Sequence, residues 1–250
     1  MWRSPLHPPG NRHWSKRHSE GFASLHGGGS VMNMVIAIDG PAASGKSTLA
    51  RRVAESLGFL YVDSGALYRA VAWMTLERGT DPRDTERVAA LTSALSMEIF
   101  VDGRAVGFRM DGHAPGAALR TERVNQAVSP VAANPDVRQY VTARLRDMLA
   151  LGSLVMEGRD IGTVVFPKAA FKFYLDASPA VRAQRRHAEM TEAVTVDAVG
   201  ASLSRRDKID SARATAPLMV AADAIVVDSS GMGVDDVVSL VLRTVREGNP

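Results

Sequence analysis

Short apolar runs and amphipathic stretches alternate along most of this chain, and the alternation predicts its secondary structure. Apolar runs bounded by glycine, proline or polar residues are typical of buried strands, whereas apolar residues that recur every three or four positions indicate helices. The predicted strands are residues 35–38, 59–62, 97–101, 105–110, 154–156, 171–175 and 224–228. The predicted helices include residues 48–57, 83–96, 120–133, 136–150 and 234–246. This order is typical of an α/β domain.

Turn and cap residues mark several boundaries between these elements. Asp102-Gly103-Arg104 separates two short strands and predicts an antiparallel hairpin, which we expect to be an insertion on the main domain. Pro135 marks the break between two helices. Ser178 is predicted to cap a helix that begins at Pro179. Asp63 or Ser64 is predicted to cap the helix after the second strand.

Residues 40–47 carry the pattern G-x-x-x-x-G-K-[ST], between a predicted strand and a predicted helix. In such a loop, successive backbone N–H groups surround an anion at a helix N-terminus. Lys46 adds a positive charge for the β- and γ-phosphates, and the Ser47 hydroxyl is placed to ligate magnesium. The pattern predicts an ATP site formed by Gly40, Pro41, Ala42, Ala43, Ser44, Gly45, Lys46, Ser47 and Thr48.

Composition limits the class of protein. With 250 residues, 46% of them hydrophobic, the chain is long enough for one α/β domain with small insertions. It has no cysteine, which excludes disulfides and thiolate metal sites. No apolar run approaches the roughly 20 residues that span a bilayer. We therefore expect a cytoplasmic protein without a membrane partner.

The net charge of +3 comes from the N-terminal segment. Residues 1–33 hold four basic side chains, one acidic side chain and four of the six histidines, without periodicity, so we expect a disordered extension before a domain at 34–250. The rest of the chain is neutral, and we expect no nucleic-acid partner. Met32 and Met34 immediately precede the first strand, and our hypothesis is that one of them is the natural start.

Charged residues follow two of the predicted strands. Glu157-Gly158-Arg159-Asp160 follows the strand at 154–156, at the edge where open α/β sheets bind ligands, but a structural salt bridge is an open alternative. Arg69, after the second strand, is compatible with a solvated arginine. Further basic residues are compatible with solvated faces or with a closing lid, namely Arg182, Arg185, Arg186, Arg205, Arg206, Lys208 and Arg213.

Several segments together resemble the bacterial cytidylate kinase family, also called CMP kinases. The phosphate loop is shared by many enzymes, whereas the segments at 63–69 and 157–167 are specific. The matching segments run in family order through residues 34–246 and comprise residues 38–41, 63–69, 119–121, 157–167, 175–178, 216–218 and 221–224. Two departures are Glu157, where some members have aspartate, and Ile209, where some have arginine.

The resemblance implies the P-loop NTPase fold of nucleoside monophosphate kinases, with a five-stranded parallel sheet wrapped by helices. It also implies a monophosphate-binding insertion at about 97–150 and a lid at about 182–213. The implied reaction, part of pyrimidine nucleotide metabolism, transfers the γ-phosphoryl group of ATP, with Mg²⁺, to CMP or dCMP, giving ADP and CDP or dCDP. ATP and CMP or dCMP would be the partners of an enzyme that we expect to be a monomer.

The resemblance also implies a role for individual residues. Arg69 and Arg159 would hold the CMP phosphate. The cytosine side would be contacted by Ser64, Arg138, Asp160 and Arg213. The pentose would be held by Ser129, Arg206 and Asp210. The catalytic set would be Lys46, Arg159, Arg185, Arg186 and Arg213, with Arg185 and Arg186 as lid arginines near the transferring phosphoryl group.

Two other classes of protein remain open. A shikimate, uridylate or dephospho-coenzyme A kinase would share the phosphate loop but should lack the segments at 64–69 and 157–163. A nucleotide switch or motor ATPase would need a strand that ends in a magnesium-binding aspartate. Asp39 and Asp63 are poor candidates for that role, because both belong to kinase-like segments.

Overall fold

The computed structural model describes residues 33–190 and 194–248. The expected N-terminal extension lies outside the described residues, except for Asn33, whose Nδ2 donates to the carbonyl of Leu149 at 2.9 Å. None of the helices in these ranges combines the length and the apolar content that a membrane crossing requires.

The elements agree closely with the predicted pattern. The strands are β1 (Val35–Asp39), β2 (Leu60–Asp63), β3 (Met97–Asp102), β4 (Ala105–Met110), β5 (Leu154–Gly158), β6 (Phe171–Asp176) and β7 (Ile225–Asp228). The helices are α1 (Lys46–Leu57), α2 (Ser64–Glu77), α3 (Thr85–Ala94), α4 (Glu122–Ala133), α5 (Pro135–Asp147), α6 (Pro179–Ala188), α7 (Val196–Ser211) and α8 (Val234–Glu247). A π-helical turn, Ile161–Val165, was not predicted.

The strands form one sheet in the order β3-β4-β2-β5-β1-β6-β7. The five strands β2, β5, β1, β6 and β7 are parallel, as predicted. The expected total of five strands is wrong, because the hairpin of β3 and β4 joins the same sheet. The N–H of Tyr61 donates to the carbonyl of Arg104 at 2.7 Å, so the hairpin satisfies the outer edge of β2.

Both faces of the central strand β1 are buried. Val35 and Ala37 belong to a cluster with apolar residues of α2, α4 and α5, while Ile36 and Ile38 point to the opposite face by strand alternation. Because a parallel sheet needs cover on both faces, this burial explains the continuous apolar runs in the sequence.

Local capping chemistry fixes where the helices begin. The Asp63 carboxylate accepts from the N–H of Ala66 at 2.9 Å, which settles the choice between Asp63 and Ser64. The Ser178 hydroxyl accepts from Val181 at 3.4 Å, and Pro179 follows in the first turn, as predicted. These caps place the polar residues that follow β2 and β6 at fixed points along the sheet edge.

Candidate functional site

Three neighbouring parallel strands end beside one another at the carboxyl edge of the sheet. Asp39 at the end of β1 is in register with Gly158 of β5, and Glu157 of β5 is in register with Asp63 of β2. The phosphate loop, the segment after Gly158 and the start of α2 therefore converge. They line a cavity of about 370 Å³.

The phosphate loop depends on close backbone packing. A Cβ atom at Gly40, where φ is +148°, would lie 2.1 Å from the carbonyl oxygen of Leu175 in β6. Gly45 has a φ of +97° and begins α1. Ala43 has a φ of 60°, which is uncommon for a residue with a side chain. The loop therefore lies directly against the sheet, with part of its backbone in an unfavourable conformation.

Lys46 is folded back over the phosphate loop. Its Nζ atom donates to the carbonyl of Pro41 at 2.6 Å and to the Ser44 hydroxyl at 3.3 Å, and the residue is 5% exposed. Burial, followed by the nearby positive charge of Arg159, lowers the pKa of Lys46 to about 7. A neighbouring polyanion would reverse this shift, because it favours the charged amine.

One carboxylate on α7 holds two of the predicted arginines. Oδ2 of Asp210 accepts from Nε of Arg159 at 3.0 Å, and its Oδ1 accepts from Nη2 of Arg213. Arg206 lies on the same helix and lines the same cavity. Burial, followed by the charge of Arg159, lowers the pKa of Arg206 to about 10, which still leaves the side chain charged at neutral pH.

Two further arginines of the cavity lining are paired with carboxylates. Nη2 of Arg69 donates to Oδ2 of Asp63 at 2.8 Å. Nη2 of Arg138 donates to Oδ2 of Asp160, and both side chains of that pair are almost fully buried. The guanidinium of Arg138 also lies 5.1 Å from the ring centroid of Tyr68. Carboxylates thus fix the orientation of these cations before any anion enters.

Most of the predicted site residues line this cavity, including Ser64, Ser129, Arg186 and Asp160. Gly40, Pro41, Ser44 and Arg185 lie outside its lining. Arg185 instead donates to the carbonyls of Ser44 at 3.1 Å and Ser229 at 2.7 Å. It therefore contacts the outer side of the phosphate loop, and its role near a transferring phosphoryl group stays a prediction.

The sequence singled out no role for Asp39, yet this buried carboxylate joins the two halves of the site. Its oxygens accept from the backbone N–H groups of Ile161 at 2.9 Å and Gly162 at 2.7 Å. The turn that follows Arg159 and Asp160 is thereby held to the end of β1. The only signal in the sequence was its place between a buried strand and the phosphate loop.

Glu157 is a second buried carboxylate at this edge. Its Oε1 accepts from the hydroxyl of Tyr61 at 2.7 Å, and the residue lines the cavity. Burial, followed by the charge of Glu157, raises the pKa of Tyr61, so the phenol stays protonated and donates. Tyr68 and Asn125 also line the cavity, although no pattern in the sequence predicted a role for them.

The parallel sheet, with a phosphate loop between its central strand and α1, defines a P-loop NTPase fold. The family model described as "Cytidylate kinase" matches residues 36–247. The chain belongs to the cytidylate kinase family.

Two cytidylate kinases agree with this assignment. The cytidylate kinase of Thermus thermophilus is 45% identical over 215 residues, covering 86% of this chain and 100% of that protein. The cytidylate kinase of Shouchella clausii is 44% identical over 217 residues, covering 85% of this chain and 96% of that protein. A shikimate kinase structure from Acinetobacter baumannii has a TM-score of 0.43 at 17% identity, covering 87% of this chain and 95% of that chain.

We expect Asp39 to make the protein less stable as the pH rises, which is the opposite of the usual effect of a carboxylate. Burial is the main cause that raises its pKa from 3.8 to about 6, so the folded protein binds this proton more tightly than the unfolded chain. The contribution of Asp39 to the free energy of unfolding should therefore fall by about 3 kcal/mol as pH rises through that interval.

Urea unfolding of the wild type and Asp39→Asn between about pH 3.5 and about pH 7 measures this effect, because that range covers the interval between the two pKa values. The difference in unfolding free energy should shift in favour of the variant, since an amide does not titrate. Asp197→Asn, at an exposed position of α7, is the reference for removing a carboxylate. A difference that stays constant across this pH range would contradict the raised pKa.

Proposed function

We propose that this chain transfers the γ-phosphoryl group of ATP to CMP or dCMP, giving ADP and CDP or dCDP. The observation that carries the proposal is one cavity lined both by the phosphate loop with Lys46 and by a set of carboxylate-held arginines. Those arginines are Arg69, Arg138, Arg159 and Arg213, and the lining also includes Arg206. Membership of the cytidylate kinase family selects the acceptor among possible phosphate compounds.

For this phosphoryl transfer, the protein has to position the two substrates and to stabilise negative charge. The nucleophile is a phosphate oxygen of the acceptor, which is already anionic at neutral pH, so no general base is required. Charge on the transferring group is stabilised by cations aimed at it in a site that excludes water. Lys46 serves the donor side, while Arg69 and Arg159 hold the acceptor phosphate. Their planar guanidinium groups bind phosphate oxygens in pairs.

The proposed magnesium site is consistent with the oxygen atoms present. Among the residues that the structure describes, no group of three or more histidine, cysteine or acidic side chains could hold a metal alone. Magnesium is commonly bound through one or two protein ligands together with substrate phosphates and water. The Ser47 hydroxyl, in the first turn of α1 and in the cavity lining, would supply such a ligand. When bound, the ion would neutralise charge on the β- and γ-phosphates.

The buried pair of Arg138 and Asp160 is our proposed reader of the base. One oxygen of Asp160 accepts from Arg138, and the residue lines the cavity. An ionised carboxylate has only acceptor sites, so it matches the amino group of cytosine and mismatches the carbonyl of uracil. Ser64 would assist on the same side, and Ser129 and Asp210 would hold the pentose.

Arg186 is the proposed lid arginine that faces the site. Arg186 lines the cavity and pairs with Glu189 at 3.1 Å on the exposed end of α6, which suits a lid arginine. A cytoplasmic, monomeric enzyme stays our prediction.

The proposal is tested by measuring ADP formation with ATP and each of CMP, dCMP, UMP, AMP and shikimate as acceptor. We expect turnover with CMP and dCMP, because only these carry both the phosphate and the amino-bearing pyrimidine that the cavity fits. A uridylate or shikimate kinase would turn over its own acceptor instead. ATP hydrolysis that needs no acceptor would contradict phosphoryl transfer altogether.

Asp160→Asn should reverse the polarity of base recognition. The amide oxygen can still accept from Arg138, while the new amino group offers a donor to uracil. A mismatched buried polar group costs about 1–3 kcal/mol, so kcat/KM for CMP should fall by roughly 5- to 150-fold relative to UMP. Kinetics with both acceptors measure the ratio. Ser129→Ala, on the pentose side, should lower both activities equally, and an unchanged ratio in Asp160→Asn would move the base-reading role elsewhere.

ATP binding should take up a proton at Lys46. With a pKa of about 7, this amine is mostly neutral at a pH of about 8, and the triphosphate should restore its charge. Calorimetry at that pH in two buffers of different ionisation enthalpy should reveal an uptake approaching about one proton per ATP. Uptake should decline near a pH of about 6 and vanish in Lys46→Arg, whose guanidinium is always charged. Equal values for the wild type and this variant would contradict the assignment.

A further inference from the structure

One backbone unit of the phosphate loop is held from outside by two side chains that the proposed reaction does not use. The N–H of Ala42 donates to Oδ1 of Asp207 at 3.1 Å. The carbonyl of Ala42 accepts from Nη1 of Arg182 at 3.2 Å. The same Nη1 atom donates to Oδ2 of Asp207, so the two side chains are also paired with each other. Both polar groups of Ala42 are thus satisfied by one ion pair.

The Arg182–Asp207 pair is well placed to act as a rigid support. Arg182 projects from α6, and its Nε atom donates to the carbonyl of Ala177 at 3.0 Å, which fixes the plane of the guanidinium. The side chains of Arg182 and Asp207 are only 10% and 17% exposed. Removing one partner of such a buried ion pair strongly destabilises a protein, because the other charge is left without compensation. The two side chains are therefore expected to stay together.

The neighbouring backbone explains why such a support is needed. Ala43 follows Ala42 and has a φ of 60°, in the left-handed region that residues other than glycine seldom occupy. A strained conformation persists only where the surrounding structure determines it. The contacts to Ala42 supply that determination immediately before the strained residue.

The Arg182–Asp207 pair also connects the phosphate loop with the residues that we assign to the acceptor. Asp207 lies on α7, next to Arg206 and one turn before Asp210. Asp210 holds Arg159, which we assign to the acceptor phosphate. Helix α7 therefore contacts the phosphate loop through the carboxylate of Asp207. The same helix contacts Arg159 through the carboxylate of Asp210.

We propose that Arg182 and Asp207 are positioning residues that hold the phosphate loop, at Ala42, in the conformation that binds ATP. The inference rests on the proposed use of ATP as donor. It adds two residues whose effect on ATP is exerted through the loop backbone.

Simple electrostatics predicts a different outcome from positioning. A carboxylate beside the triphosphate site should repel ATP, so on charge alone Asp207→Asn would bind ATP more tightly. Arg182→Lys keeps its charge, so on charge alone ATP affinity would not change. Positioning requires that both variants bind ATP more weakly. Asparagine has one acceptor oxygen, so it cannot accept from both Ala42 and Arg182 as the two carboxylate oxygens do. Lysine lacks the planar group that reaches Ala177, Ala42 and Asp207 together.

The experiment is calorimetric titration of ATP and, separately, of CMP into the wild type, Asp207→Asn and Arg182→Lys. We expect ATP to bind about 10- to 100-fold more weakly in both variants, the loss of roughly one charge-assisted hydrogen bond. CMP affinity should stay within about 3-fold, because Asp210 and its arginines are unchanged. Arg205→Ala, which removes an exposed charge from the same helix, should leave both affinities at the wild-type level.

Three results would overturn the proposal. Unchanged or tighter ATP binding by Asp207→Asn would show that its carboxylate competes with phosphate or has no effect. Unchanged ATP binding by Arg182→Lys would show that only the charge of Arg182 matters and that its planar group does not position the loop. Equal losses for ATP and CMP would indicate general loosening of the protein. Failure of the proposed function would appear separately, as a wild type that binds ATP but does not bind CMP.

Discussion

The site depends on one carboxylate that ties the central strand to its neighbour. Asp39 ends β1 and accepts two backbone N–H groups from the turn after β5, at Ile161 and Gly162. The phosphate loop begins at the next residue, Gly40, and Arg159 and Asp160 lie just before the tethered turn. Without this contact, the two segments would be adjacent by register but independent in orientation. The raised pKa of Asp39 is the cost of burying the charge that joins them.

A second constraint is that many cations occupy a small volume. Arg69, Arg138, Arg159 and Arg213 would repel one another in a site of low dielectric constant if they were left alone. The structure inserts carboxylates between them, with Asp210 serving two arginines and Asp63 and Asp160 serving one each. Nε of Arg69, Arg138 and Arg213 is buried without a protein hydrogen-bond partner among the described residues. The cavity is therefore preorganised for anions.

Features that depend on neighbouring residues were predictable from the sequence, whereas features that depend on distant ones were not. The strands, the cap at Ser178 and the phosphate loop each follow from a short stretch of sequence, whereas the cap of α2 was left open between Asp63 and Ser64. The contact of Asp39 with Ile161 spans 122 positions, and no local pattern encodes it. The pairing of the hairpin with β2 was missed for the same reason. The family resemblance supplied most of the arginines that line the cavity, but it did not indicate that Arg185 would contact Ser44 and Ser229.

The arginines of α6 divide into two groups because a helix turns by about 100° per residue. Arg185 and Arg186 are consecutive, so they cannot approach the same phosphoryl oxygen from the same direction. Arg186 lines the cavity, whereas Arg185 and Arg182 donate to carbonyls of Ser44 and Ala42 on the outer side of the loop. Carbonyls held outward leave the following N–H groups of the loop free to turn toward an anion. One side of the short basic helix α6 thus holds the phosphate loop through Arg182 and Arg185, while Arg186 on another side lines the cavity.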